Sequence, residues 1–345
     1  MSEIEKYVEQ ALRGVNYPGY SRDIVSFGLV KGIQVGNGGV VVTLELTSDN
    51  KEIATQIKTE SELAIKGLAG VERVLVDVKL MGQASGGARG KVGGIDHIVA
   101  VASGKGGVGK STCSVNLACA LRHQGYRVGL LDCDIYGPSI PLMMGVNRRP
   151  EISADEKMIP VENHGIRLIS MGFLLDGDQP VIWRGPMIQK TIQQFITVVE
   201  WGELDYLLVD LPPGTGDAQL SLCQTVPLNG GVIVTTPQEA SLGVVRKGIA
   251  MFEKVNVPIL GMIENMSYFT APGGERVEIF GHGGGRAEAD RLDIPFLGEV
   301  PLFTRIREGG DAGIPVVVAD PKSEAATPFL SAATNLGKSL KSHGT

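Results

Sequence analysis

Apolar residues along this chain follow two different periods, and the change between them falls near residue 95. In the first part Ile4, Val8 and Leu12 recur every four residues, which predicts one face of a helix. The stretch "GGVVVTLELT", after the turn-prone "GNGG", predicts a strand. A second helix is expected from Lys51 to about Leu68, and Val74, Val76, Val78 and Leu80 alternate to one side of a further strand in "VERVLVDVKL". Residues 1–80 thus predict a small α/β unit, a sheet covered on one face by helices. Residues 81–94, "MGQASGGARGKVGG", hold six glycines and no apolar period, which predicts a flexible linker.

From Ile95 to the end at Thr345 the pattern becomes short, almost continuously apolar runs separated by helical stretches: "HIVAVAS", "YRVGLLD", "DYLLVDL", "GVIVTTP", "VPILGMIE" and "IPFLGEV". Strands apolar on both faces belong to a buried, mostly parallel sheet. Their alternation with helices predicts a doubly wound α/β domain over residues 95–345, preceded by the smaller unit.

Composition adds limits. At 345 residues the chain exceeds one typical domain, and no apolar run approaches the ~18 residues of a membrane span. The first residues, "MSEIEKYVEQ", are acidic and polar where a signal peptide is basic and then apolar, so the expected location is the cytoplasm. A net charge of -6 gives no overall attraction to nucleic acid. Cys113, Cys119, Cys133 and Cys223 show no CxxC spacing and lie in apolar contexts, which predicts buried structural thiols.

Candidate chemistry begins where the first apolar run meets "SGKGGVGKST". Gly104, Gly109, Lys110 and Ser111 satisfy the phosphate-loop spacing G-x-x-x-x-G-K-[ST], between a predicted strand and a helix expected from Lys110 to His123. The backbone from Gly104 through Gly106, Gly107 and Val108 to Gly109, with Ser111 and Thr112, cradles phosphates. Lys110 reaches the terminal phosphates and the Ser111 hydroxyl holds Mg2+. "LLDCDIYGPS" ends a strand with Asp132 and Asp134, where a carboxylate orients an attacking water or holds Mg2+ through water, or simply caps the next helix. "DYLLVDLPPGTGD" ends another at Asp210, placed for an outer contact to Mg2+, and Gly214 offers a backbone N–H toward a γ-phosphate.

Lys105 makes the loop resemble the deviant Walker A motif of dimeric ATPases. That resemblance implies a homodimer in which Lys105 turns from its own phosphates and crosses to the partner's nucleotide. The whole series "GKGGVGKST", "DCDIYGPSIP", "VIWRGPM", "DYLLVDLPPGTGD", "VIVTTPQ" and "IENMSYF" closely resembles the Mrp/ApbC-type iron-sulfur cluster carrier ATPases over about residues 95–340. The front unit, with "DIVSFGLV" and "VVTLELTS", is similar to the PaaD-like iron-sulfur assembly domain. These resemblances imply ATP and Mg2+ as cofactors, slow ATP hydrolysis, a nucleotide-switched homodimer, and apo iron-sulfur proteins and assembly factors as partners. They also imply Asn265 as the adenine contact and Asp134 as the switch I aspartate. Arg184 lies in a stretch typical of the family, with no mechanism attached.

One stretch departs from that family. After "ENMSYF" the common pattern is C-P-x-C, two cysteines per subunit for a cluster bridging the dimer. Here Thr270, Ala271, Pro272, Gly273 and Gly274 stand in that place. Cys113 and Cys119 lie six apart on one helix and face different directions, and Cys133 falls within the nucleotide segment. His282 is the nearby coordinating side chain and a weak candidate ligand. Three readings follow: a cluster held by unusual or partner-supplied ligands, a cluster-free scaffold, or a MinD/ParA-like positioning ATPase. The last needs a basic face or an amphipathic tail, and "TPFLSAATNLGKSLKSHGT" is a weak interfacial helix. No stable membrane anchor is expected, and nothing suggests the acceptor site of a metabolic kinase.

Overall fold

The computed structural model describes residues 3–18, 23–36, 39–46, 51–68, 71, 73–80, 93–174 and 185–343. Its contacts divide into two compact units, Met1–Ala88 and Arg89–Thr345.

In the first unit the chain runs α1 (Glu3–Leu12), β1 (Val30–Gly36), β2 (Gly39–Leu46), α2 (Lys51–Lys66) and β3 (Arg73–Leu80). The sheet order is β1-β2-β3, with β1–β2 antiparallel and β2–β3 parallel. Alternation sorts the faces: Val40, Val42, Leu44 and Leu46 are buried while Val41 is exposed. On β3 the even positions turn inward in the same way, with Val76 buried and Leu75 exposed. Val8 and Leu12 of α1 and Ile57 and Ile65 of α2 close the core.

The second unit opens with β4 (Ile95–Ser103), α3 (Lys110–His123), β5 (Val128–Asp132) and α4 (Ile140–Met143). Short strands β6 (Glu151–Ile152), β7 (Met158–Ile159) and β8 (Val161–Asn163) lead into β9 (Ile166–Ser170). Then follow α5 (Gly185–Thr197), β10 (Leu204–Asp210), α6 (Asp217–Thr225), β11 (Gly230–Thr235), α7 (Glu239–Lys254) and β12 (Ile259–Thr270). The unit ends with β13 (Arg276–Val277), α8 (Gly284–Arg291), β14 (Phe296–Leu302), α9 (Thr304–Asp311), α10 (Val316–Ala319) and α11 (Thr327–Ser342).

Nine strands form one sheet, in the order β13-β12-β11-β4-β10-β5-β9-β8 with β14 also paired to β12. Only the β8–β9 and β12–β13 pairs are antiparallel. This is the doubly wound, mostly parallel α/β fold expected from the apolar runs. Each run serves two cores. Val99, Val101 and Leu208 pack with α3 and α11 on one face, while Ile98, Ala100, Leu207 and Val209 pack with α5, α6 and α7 on the other. Each fully buried Leu, Val or Phe contributes about 1.5–3 kcal/mol, so both faces hold the strands in place.

Three departures from the sequence expectations matter for the site. β9, "IRLIS", is an additional buried strand parallel to β5. β12 runs beyond Glu264 to Thr270, with its pairing to β14 shifting register between Asn265 and Phe269. The tail is core: Phe329, Leu336 and Leu340 of α11 are buried against the sheet and α3, so its apolar side is already covered. Among the described residues no helix is long and apolar enough to cross a membrane.

Candidate functional site

The parallel register brings the strand ends together. Asp210 of β10 pairs with Asp132 of β5 on one side and Val101 of β4 on the other. Ser103 ends β4, and the phosphate loop leaves the sheet beside both carboxylates. At this carboxyl edge the loops gather where doubly wound sheets hold ligands.

Two glycines show why the loop needs its composition. A Cβ on Gly104 would lie 2.8 Å from the Val244 carbonyl carbon and the Val245 nitrogen, so the loop abuts the α7 backbone. Gly109, the residue before α3, has φ 78° and sits directly against the Asn265 side-chain amide. The first turn of α3 thereby presents its free N–H groups to the space inside the loop.

Beneath the loop lies a buried polar cluster centred on Asp210, which is fully buried. Lys110 Nζ donates to Asp210 Oδ2 at 2.6 Å, and Ser111 Oγ donates to the same oxygen at 2.6 Å. Ser114 Oγ donates to Asp210 Oδ1 at 2.5 Å. Ser114 was not among the residues expected from the motif. Its helical spacing from Lys110 and Ser111 is the signal that places it on the same face.

Asp132, next in register, is also fully buried; it accepts hydrogen bonds from Ser170 Oγ at 2.8 Å and the Asp134 N–H at 3.1 Å. Burial first, then the charge of Asp210, pushes its carboxyl up to about 7. Ser170 comes from β9, the strand the apolar pattern did not reveal. Asp134 is 8% exposed, and its Oδ1 accepts the N–H groups of Tyr136 and Gly137 at 3.2 Å, which fixes the following turn.

A cavity of about 200 Å3 is lined by Lys105, Gly107, Lys110, Thr112, Asp134 and Pro213, among others. Lys105 and Lys110 both line this cavity. Two further residues are engaged elsewhere in this conformation. The Gly214 N–H donates to the Ser103 carbonyl at 3.1 Å, and Asn265 Nδ2 donates to the Val108 carbonyl at 2.8 Å. Asn265 lies within β12 rather than at its end. Arg184 lies outside the described residues.

All four cysteines are buried and free. Burial pushes the thiols of Cys113, Cys119 and Cys223 up to about 12 and that of Cys133 well above the ordinary range. Cys133 packs in the core against α5 and α6, which corrects the expectation that it sits inside the nucleotide site. The stretch after "ENMSYF" is a β-hairpin: Phe269 pairs with Val277 and Thr270 with Arg276. Its turn is closed by Ala271 N–H to the Glu275 carbonyl and Gly274 N–H to the Ala271 carbonyl, both 2.8 Å. Residues 272–282 are exposed. His282 is away from the phosphate loop and lines a separate cavity.

The sequence profile of the NUBPL iron-transfer P-loop NTPases matches residues 94–337. The chain belongs to that family. A profile described as iron-sulfur cluster assembly protein matches residues 5–78. Among relatives of this NUBPL-type NTPase, the "iron-sulfur cluster carrier protein" of Synechocystis is 47% identical over 336 residues, covering 94% of each chain. The mouse "iron-sulfur cluster transfer protein NUBPL" is 50% identical over 252 residues, 72% of this chain and 79% of that one. An ADP-bound nucleotide-binding protein from Archaeoglobus fulgidus superposes with a TM-score of 0.58 at 43% identity, covering 64% of this chain and 87% of that one. The cell division ATPase MinD of Pyrococcus furiosus, 23% identical over 70% of this chain and 98% of its own, shares the fold with a TM-score of 0.53.

Proposed function

We propose that this chain is a cytoplasmic, ATP-binding and slowly ATP-hydrolysing carrier or assembly factor for iron-sulfur clusters. It acts as a nucleotide-switched homodimer and serves apo iron-sulfur proteins. The observation that carries the nucleotide half is the convergence of Lys110, Ser111 and Ser114 on the buried Asp210 carboxylate under a loop that a Cβ at Gly104 or Gly109 would obstruct. This donor set fits a magnesium nucleotide: backbone N–H groups and a lysine for phosphates, a hydroxyl and a carboxylate for the ion.

ATP with Mg2+, when bound, supplies the phosphoryl group whose transfer to water drives the switch. The chain's own residues prepare for it by exchanging partners. With the ligand bound, Lys110 would turn from Asp210 to the phosphates, and Ser111 would hold the ion with Asp210 as its outer contact. Gly214 releases its N–H from the Ser103 carbonyl toward a γ-phosphate, Asp134 orients the attacking water, and Lys105 reaches the partner's nucleotide. Asn265 is the adenine contact once its amide turns from Val108. The Lys110 and Asn265 exchanges each trade one buried hydrogen bond for another, so the closed arrangement forms only when the full ligand is present.

The cargo half rests on the family and on the assembly-type front unit. A cluster carried here takes ligands other than this chain's cysteines, since all four are buried. That same observation favours a second reading, a cluster-free scaffold. Anaerobic reconstitution with iron and sulfide separates the two. About four irons per dimer with sulfide-to-iron charge-transfer absorption supports the carrier. Background iron together with intact ATP hydrolysis supports the scaffold, and absence of ATP binding removes both.

A further inference from the structure

We propose that Glu264, His282 and Glu299 form a site for one divalent first-row transition-metal ion, independent of the nucleotide site. One donor atom from each residue lies within 4.8 Å of the other two. Glu264 on β12 and Glu299 on β14 are direct partners in the parallel register, so two carboxylates stand side by side on one sheet face. Like charges placed so repel unless a cation lies between them. His282, from the loop before α8, brings an imidazole to the same point.

The Glu264 carboxylate is the strongest sign of a missing ligand. It is fully buried; Oε2 accepts the Gly285 N–H at 2.6 Å, and Oε1 has no hydrogen-bond partner among the described residues. A buried carboxylate oxygen left without a partner is costly, and a bound cation removes that cost. Glu299 Oε2 accepts from Ser267 Oγ at 3.3 Å.

Arg276 occupies the place of the ion's charge. Its Nη2 donates to His282 Nδ1 at 2.7 Å and lies 3.9 Å from Glu299 Oε2. The side chain is 40% exposed and rests on the Tyr268 ring at 3.6 Å, so it can leave without disturbing the core. Metal and guanidinium compete for the same imidazole nitrogen. Glu278 Oε1, 3.9 Å from that nitrogen, adds a further negative charge.

Ligand chemistry sets the class of ion. One imidazole nitrogen with two carboxylates suits Fe2+, Co2+ or Zn2+, whereas Mg2+ and Ca2+ favour oxygen-only sites. Donors at 2.0–2.2 Å from a tetrahedral ion stand roughly 3.3 Å apart, so His282 and Glu299 need to close inward by no more than about 1.5 Å onto the fixed Glu264. Both line a cavity of about 470 Å3, which leaves the remaining coordination position open for exchange of the ion.

The test is a Co2+ titration of the full chain, held with ADP and excess Mg2+ so that the phosphate-loop site is filled. One equivalent of Co2+ is expected to bind and produce visible ligand-field bands that Zn2+ abolishes. His282→Ala and Glu299→Gln are each expected to weaken binding roughly 10- to 100-fold, and Arg276→Gln to tighten it. His282 is exposed, so its variant tests the site with ADP affinity and thermal unfolding unchanged. No Co2+ binding by the unmodified chain up to about 0.1 mM, or binding that neither His282→Ala nor Glu299→Gln alters, overturns the proposal.

Discussion

β12 passes two regions built on opposite terms. Beside Asn265 lies the phosphate loop, where buried lysine, serine and aspartate side chains are tied by short hydrogen bonds. Five residues on, at Thr270, the strand enters a hairpin whose glycine- and proline-containing turn is closed by backbone bonds. The first region tolerates little change, because each buried polar group there depends on its partner. The second asks little of its side chains, so its sequence can change while the strand pairing stays. Loss of the usual cysteines at such a turn leaves the fold intact, whereas a comparable change at Asp210 would not.

Four experiments break or sharpen that contrast. The largest effect is expected from Lys110→Ala, which removes the phosphate contact and strands the buried Asp210 charge. Calorimetry should show ATP binding lost, and unfolding should show a stability loss of about 3–5 kcal/mol. Asp134→Asn keeps ATP binding in the proposed mechanism and slows hydrolysis by about 100-fold, within the usual range for losing such a group; turnover at the unmodified rate would reject the assignment.

On the hairpin side, Ala271→Cys with Gly274→Cys places one thiol at a half-buried and one at an exposed turn position. Iron retained after anaerobic reconstitution should rise to about four per dimer. The left-handed φ of 83° at Gly274 costs the variant about 1–2 kcal/mol, visible as a lower Tm. A double variant that retains no more iron than the unmodified chain shows that thiols at this turn are insufficient.

The smallest effect concerns the link between the regions. Glu288 of α8, 4% exposed, accepts from Arg291 Nη2 at 2.5 Å and from Arg246 Nε of α7 at 2.9 Å. The bonds from Arg291 and then Arg246 hold its carboxyl down at about 2. A depressed folded value means stability present above the ordinary carboxylate range and lost as pH falls from about 4.5 through about 2. Both arginines are about half exposed, so solvent screens the pair, and Glu288→Gln should cost about 1–2 kcal/mol at pH 7. Urea unfolding at pH 7 and below pH 4 should show that difference shrinking.

Much of this was legible in the sequence because it depends on local spacing. The loop from Gly104 to Thr112 and the helix that follows are encoded by contiguous residues, as are the six apolar strands. What was hidden depends on register. Ser170 reaches Asp132 only because β9 pairs with β5, and a five-residue strand set among polar turns carries too little periodicity to announce itself. The Asn265 contact with Val108 spans 157 positions of chain and has no local trace. The Glu264–Glu299 pair likewise exists only through the alignment of β12 with β14. Cys133 lies beside a site aspartate in sequence, yet the strand end turns its thiol into the opposite core.

Asn265 grips the phosphate loop and Thr270 begins the hairpin, and the two belong to one strand with roughly 17 Å of backbone between them. Met266, with φ 56°, puts a single bend in that span. The strand is therefore a cranked strut: a shift of the Val108 carbonyl as the loop closes on its ligand pulls on one arm, and the exposed turn rides on the other.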